Sequence, residues 1–296
     1  MLNRTARTTT PVAPAFAPNG GSILGPAIVA IALAASACTN LDSRVVDHDG
    51  RAVEIVTAGS GSATVVFEAG LGNDWKTWDA VASDIAKDAR VFAYSRPGYG
   101  KSEATTTPRD PATIVEELRD LLGEQGYVPP YILVGHSFGG TYMELFAKAH
   151  PGEVAGAVLV EPRHRDFLAQ CEAAHLDLCG ISASDLATQP ATDIAEYEAF
   201  PRASAEVAAA GPFGSYPVRV LTATGGMGSP ARRALWEATH ASLAAEAADG
   251  RQIVFPGATH ALPTERATEV ATVIRALLPS TPTVRRGGIT VALPMR

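Results

Sequence analysis

Along the chain, short runs of β-branched and aromatic residues alternate with longer stretches whose apolar positions recur every three or four residues. Val45-Val46 and then Ala52 to Val56 read as two strands, and Asp47-His48-Asp49-Gly50 between them carries the Asp-Gly pair that closes a hairpin. Thr64 to Phe67 and Arg90 to Tyr94 are strands by composition, and between them Trp75, Trp78, Val81 and Ile85 fall on one helical face. Pro111 to Gln125 predicts an amphipathic helix, Tyr131 to Val134 a buried strand, Phe138 to His150 a helix and Val154 to Val160 a fully apolar strand. The alternation resumes with Val218 to Thr222, a helix from the cap pair Ser229-Pro230 to Ala248, and the strand Arg251 to Phe255. A terminal helix follows, on which Val270, Ile274 and Leu277 share a face. Such alternation predicts an α/β fold, a mostly parallel, doubly wound sheet of about eight strands with helices on both faces.

Three segments break this rhythm. Residues 163–216 are Ala-rich, irregular and too long for a plain loop, so they read as a helical cap inserted after the sixth strand. The core then falls into two parts, 38–162 and 217–279, followed by a loosely ordered tail, 280–296. The first 37 residues have the order of a signal peptide: Arg4 and Arg7, an apolar run from Ile23 to Ala37, and small residues in Ala35-Ser36-Ala37 before Cys38. That run is shorter than the roughly 20 residues needed to span a bilayer. Cys38 after small residues also resembles a bacterial lipobox, although Ala35 stands where Leu is usual. The expectation is export, as a secreted, periplasmic or lipid-anchored protein, with membrane attachment through Cys38 in the last case.

Composition narrows the chemistry. A 296-residue chain with 46% hydrophobic residues can bury one large core, and a net charge of -7 with no basic run in its body argues against nucleic acid. Beyond Cys38, Cys171 and Cys179 remain as an even pair, either bridged in an oxidising compartment or two buried thiols of the cap. No metal-ligand cluster stands out, and Gly225-Gly226-Met227-Gly228 lacks dinucleotide spacing. Gly100-Lys101-Ser102 ends like a phosphate loop, but Ser95 occupies the position that motif needs as glycine. The expected chemistry is free of cofactors and metals.

The stretch that organises the chain is Val134-Gly135-His136-Ser137-Phe138-Gly139-Gly140, between a strand and a helix. A nucleophile on so sharp a turn sits in strained backbone, and residues two before and two after it must lack bulk where strand and helix nearly touch. The following helix points its unpaired N–H groups at the place where an attacked carbonyl would gain negative charge. A serine hydroxyl needs a base, and His260, in the loop after the last strand, reaches the same sheet edge. His48 lies in a hairpin, His150 ends a helix, and His164 and His175 lie in or near the cap.

Four motifs in order, Ala69-Gly70-Leu71-Gly72, Arg96-Pro97-Gly98-Tyr99-Gly100-Lys101-Ser102, Gly135-His136-Ser137-Phe138-Gly139-Gly140 and Gly257-Ala258-Thr259-His260, make the chain resemble the α/β-hydrolase fold family from about Arg44 to Leu278. The resemblance implies an oxyanion hole from the backbone N–H groups of Leu71 and Phe138, with Ala69 replacing a frequent His of the family. Serine at position 137 sets the chain apart from the dehalogenase and epoxide-hydrolase branches, which attack through a carboxylate. Much of the family takes its triad acid from the loop after the strand Val218 to Thr222, but residues 223–229 here hold no carboxylate. Some branches place the acid one strand earlier, where this chain has Glu161; Asp166 and Asp185 are rivals from the cap. The expected site is therefore Ser137, His260 and Glu161, in a serine hydrolase that cleaves a carboxylic ester through an acyl-enzyme. Of the cap residues Phe167, Leu168, Leu176, Leu178, Ile181, Ile194, Tyr197, Phe200 and Phe213, several are expected to line an apolar acyl pocket for small to medium, largely uncharged substrates, and most to pack on the cap's own core. Perhydrolysis, carbon-carbon bond hydrolysis and a non-catalytic binding role are the alternatives.

Overall fold

The computed structural model describes residues 41–226, 228–279, 283–286 and 289–292, the last two stretches as backbone pairing only. The expected signal segment and Cys38 lie outside the described residues. Strands β1 (Ser43–His48) and β2 (Arg51–Ala58) pair antiparallel around Asp49 and Gly50, whose φ values of 52° and 75° suit the Asp-Gly turn. The other strands are β3 (Thr64–Glu68), β4 (Arg90–Tyr94), β5 (Tyr131–His136), β6 (Val154–Val160), β7 (Pro217–Ala223) and β8 (Asp249–Phe255). They form one eight-stranded sheet in the order β1-β2-β4-β3-β5-β6-β7-β8, parallel from β4 onward. The central strands β3 and β5 are buried on both faces, which is why they read as unbroken apolar runs.

Helices close both faces. Helices α1 (Asp79–Ile85), α2 (Pro111–Glu124) and α3 (Phe138–Ala149) divide between them. Trp78, Val81 and Ile85, in and just before α1, pack one face; Ile114, Leu118 and Leu122 of α2 and Phe146 of α3 pack the other. Asp110 caps α2 by accepting from Thr113 N–H, with Pro111 at the first helical position.

Residues 163–216 fold as α4 (Phe167–Ala173), α5 (Ala183–Leu186), α6 (Ala191–Ala199) and α7 (Ala203–Ala210), in agreement with the helical reading. Cys171 and Cys179 are bridged, which settles the open choice between disulfide and thiols. Both pack with Phe167 and with Trp236 of α8 (Pro230–Ala245). Helix α8 stops short of the expected Ala248 because β8 already begins at Asp249, pairing with Pro217. Gly250 allows that tight join, since a Cβ there would lie 1.7 Å from the Ala244 carbonyl oxygen. The chain continues through α9 (Leu262–Glu265) and α10 (Ala267–Arg275), whose Val270 and Ile274 are buried as expected. In the tail, where loose order was expected, β9 (Thr283–Arg286) and β10 (Ile289–Ala292) pair antiparallel as a separate two-stranded sheet.

Candidate active site

Parallel strands deliver the loops after β3, β5, β6 and β8 to one edge of the sheet. Ser137 stands alone between the last residue of β5 and the first of α3, with φ 54° and ψ −120°. This left-handed backbone is costly for a residue with a side chain, and its neighbours hold it there. Its N–H donates to Val160 O at 3.1 Å, and its carbonyl accepts from Arg163 N at 2.9 Å. A Cβ on Gly135 would lie 2.2 Å from Gly139 O, and one on Gly139 would lie 2.4 Å from Ala69 O. The two glycines are thus required by contact, as the spacing predicted.

Ser137 Oγ lies 3.0 Å from His260 Nε2, and His260 Nδ1 lies 3.1 Å from Glu161 Oε2. Glu161 is fully buried at the end of β6 with φ 50°, and its Oε1 accepts from Ala223 N at 2.5 Å and from Trp236 Nε1 at 3.2 Å. A carboxylate can only accept, so Nδ1 carries the proton and Nε2 is left as the acceptor facing the serine hydroxyl. The rivals are engaged elsewhere: Asp166 accepts from Ser204 Oγ, and Asp185 closes the α5 cap with Ser182. The His136 ring lies tilted at 44° to that of His260, 4.8 Å away, and bonds the His260 carbonyl oxygen through Nε2; burial drives its pKa down to about 3. His48 and His150 face Glu124 and Glu116. His164, with burial lowering its pKa to about 4, accepts from Asp166 N, and His175 is exposed.

The loop after β3 carries Leu71 against this centre. Gly70 approaches so closely that a Cβ on it would lie 3.1 Å from Ser137 Cβ. Buried Arg96, from the turn after β4, holds the loop by donating to Ala69 O at 2.7 Å and Gly70 O at 2.9 Å. The same guanidinium meets Glu68 Oε1 at 2.5 Å and both oxygens of Glu196 in α6 at 2.8 Å. Burial pushes the Glu68 carboxyl up against the pull of Arg96.

A cavity of about 360 Å³ opens over Ser137 and His260. Leu71 and Phe138, the two expected oxyanion residues, line it, as do Leu178, Ile181 and Tyr197 of the cap. A neighbouring space of about 250 Å³ shares Phe138, Arg163 and Tyr197 and adds Leu168, Phe200 and the acids Asp166 and Glu172. Phe167 and Leu176 pack around the disulfide instead, and Phe213 joins the core of the sheet. Sequence reasoning missed Arg163, Arg232 and Trp236, all of which line the cavity over Ser137, and the buried His240 against the Trp236 ring. A usable signal was present: Arg232, Trp236 and His240 recur every fourth residue along α8, one helical stripe toward the site.

A family model described as "alpha/beta hydrolase fold" matches residues 63–178. The chain has the α/β-hydrolase fold. Among curated proteins, this α/β-hydrolase-fold chain is 38% identical over 104 residues to the uncharacterised protein YqjL of Bacillus subtilis, covering 35% of this chain and 41% of that one. It thus spans less than half the length of that relative. Among solved structures, Cfl2 from Burkholderia cenocepacia matches with a TM-score of 0.60 and 19% identity, over 81% of this chain and 97% of the other. A thermophilic esterase from Thermogutta terrifontis matches with a TM-score of 0.53 and 20% identity, over 80% and 97%.

Proposed function

We propose that the protein is a serine hydrolase acting on carboxylic esters through an acyl-enzyme, with Ser137 as nucleophile, His260 as general base and acid, and Glu161 as the orienting acid. The observation that carries this reading is the unbroken chain Ser137 Oγ, His260, Glu161, with contacts of 3.0 and 3.1 Å. Ser137 Oγ attacks the ester carbonyl carbon while its proton passes to His260 Nε2. Negative charge gathers on the carbonyl oxygen, toward which the N–H groups of Leu71 and Phe138 are assigned. Collapse expels the alcohol, which takes the proton from His260. Water then attacks the acyl-enzyme with His260 again as base, and the acid leaves as Ser137 recovers its proton. Glu161 holds the imidazole in the tautomer this needs and balances its transient charge. An apolar substrate body of small to medium size suits the Leu71, Phe138, Leu178, Ile181 and Trp236 walls.

A panel of p-nitrophenyl esters of rising acyl length, combined with a fluorophosphonate probe, tests the reading. Turnover with labelling of Ser137 is expected; folded protein that neither labels nor turns over any ester would refute it. We also propose export with cleavage before Cys38, a reading supported by the Cys171–Cys179 disulfide, since such bonds persist in oxidising compartments. Mass spectrometry of the mature amino terminus decides it, and a protein retaining Met1 would overturn it.

A further inference from the structure

We propose that the substrate is an ester that also carries a carboxylate, bound by the guanidinium groups of Arg163 and Arg232; this rests on the hydrolase reading above and names its substrate class. The cavity over Ser137 and His260 is lined by two arginines and, among the described residues, by no aspartate or glutamate. In a chain with a net charge of -7, that is a local reversal of sign at the one place where substrate must sit.

The two cations lie against one ring. The guanidinium carbons of Arg163 and Arg232 lie 5.0 and 6.0 Å from the centroid of the same Phe167 ring. Arg163 Nη2 donates to Cys179 O at 2.7 Å, so a neutral acceptor on the disulfide loop aims the fork without cancelling its charge. Burial lowers the Arg163 pKa to about 10, with Arg232 adding to the effect, and burial lowers Arg232 as well. An anion entering this partly desolvated wall is attracted by both guanidinium groups, and more strongly than it would be in water.

Helix geometry adds an independent reason. Arg232 lies in the first turn of α8, where Ser229 caps its N–H and no acidic residue is present. Helix amino termini favour negative charge, so an anion bound beside Arg232 would be attracted by the helix end as well as by the guanidinium. A carboxylate matches the planar guanidinium fork, and a monoanion costs less to desolvate than a dianion against the apolar remainder of the wall. The cap's apolar residues predicted a largely uncharged substrate; the arginines change this to an apolar body with one negative end.

The test compares matched pairs of esters with the whole mature protein. One pair is the p-nitrophenyl ester of glutaric half acid against its methyl-capped form; the other carries the carboxylate or its methyl ester on the alcohol side. In at least one pair, kcat/KM for the acid should exceed that for the capped ester by about tenfold or more. Arg163→Met and Arg232→Met should bring that ratio to within about threefold of one, mainly through KM, and Arg163→Lys should restore part of it. Rising ionic strength should lower the ratio in the unaltered protein, which keeps the test open if a variant fails to fold. Ratios of one or below in both pairs would overturn the proposal, as would a high ratio that both Met variants retain. Turnover of capped esters without charge preference removes the anion subsite alone. Absence of both turnover and Ser137 labelling removes the hydrolase reading, and this proposal with it.

Discussion

Arg96 reaches Glu196 with Nε and Nη2, each 2.8 Å from a carboxylate oxygen, and this buried fork ties the turn after β4 to the cap helix α6. Because the same side chain grips Ala69 O and Gly70 O, it sets where the Leu71 N–H points. Arg96→Lys keeps the charge but cannot span these partners. It is expected to lower kcat about tenfold with little change in KM if the Leu71 N–H has the proposed oxyanion role, since such a donor acts mainly in the transition state. Glu196→Ala should cost about 3 kcal/mol in denaturant unfolding, because it strips one partner from a buried charge.

Glu161→Gln preserves an acceptor for Ala223 N and Trp236 Nε1 but presents no charge to His260. The expected result is a fall in kcat of about two orders of magnitude or more at unchanged Tm. Steady-state kinetics on the best p-nitrophenyl ester, with a thermal melt of the same sample, would show it; activity within a few fold of the original would remove Glu161 from the triad.

Ser137 pairs a side chain with a φ of 54° that glycine adopts freely. Ser137→Gly should therefore abolish turnover and raise unfolding stability by about 1 kcal/mol, read as a higher denaturant midpoint at constant slope. A lower midpoint would mean that the serine side chain stabilises the turn more than the backbone strain costs.

His240 is buried between Thr222 Oγ1 and Pro162 O, and burial lowers its pKa from 6.5 to about 4. Between those values the unfolded chain binds the proton and the folded protein does not, so stability rises with pH through this window and is lost as pH falls from 6.5. From pH 7 to pH 5 this one group should cost about 2 kcal/mol. Unfolding curves at the two pH values should differ less by roughly that amount in His240→Gln, and an identical difference would refute the assignment.

Much of this architecture was readable in advance because each strand is a run of buried residues bounded by turn chemistry. The Asp49-Gly50 hairpin and the Asp110-Pro111 and Ser229-Pro230 helix starts are local signals that tertiary packing had no reason to override. Ser137 and His260 were legible for the same reason, each inside a glycine-marked loop. Glu161 was reached by the lack of carboxylates after β7 together with the family resemblance and its place at the sheet edge, since nothing local tells a strand-end glutamate that faces a histidine from one that binds only backbone N–H groups. In the structure one of its oxygens accepts from Ala223 N while the other faces His260 Nδ1. Arg163 and Arg232 escaped because hydrophobic patterning discounts charged residues, and because their neighbourhood depends on how α8 and the start of the cap fold over the same edge.

The crowding of the β5–α3 turn divides the molecule into parts with unequal freedom to change. Gly135, Gly139 and Gly140 each face an atom closer than a Cβ tolerates, so a larger residue at any of them displaces Ser137 itself. Leu178, Ile181 and Tyr197 reach the same cavity from cap segments that bear no part of that turn. Adaptation toward a new substrate, in nature or in a laboratory library, should therefore accumulate in the cap while the turn stays fixed, so that selectivity can drift without reopening the question of catalysis.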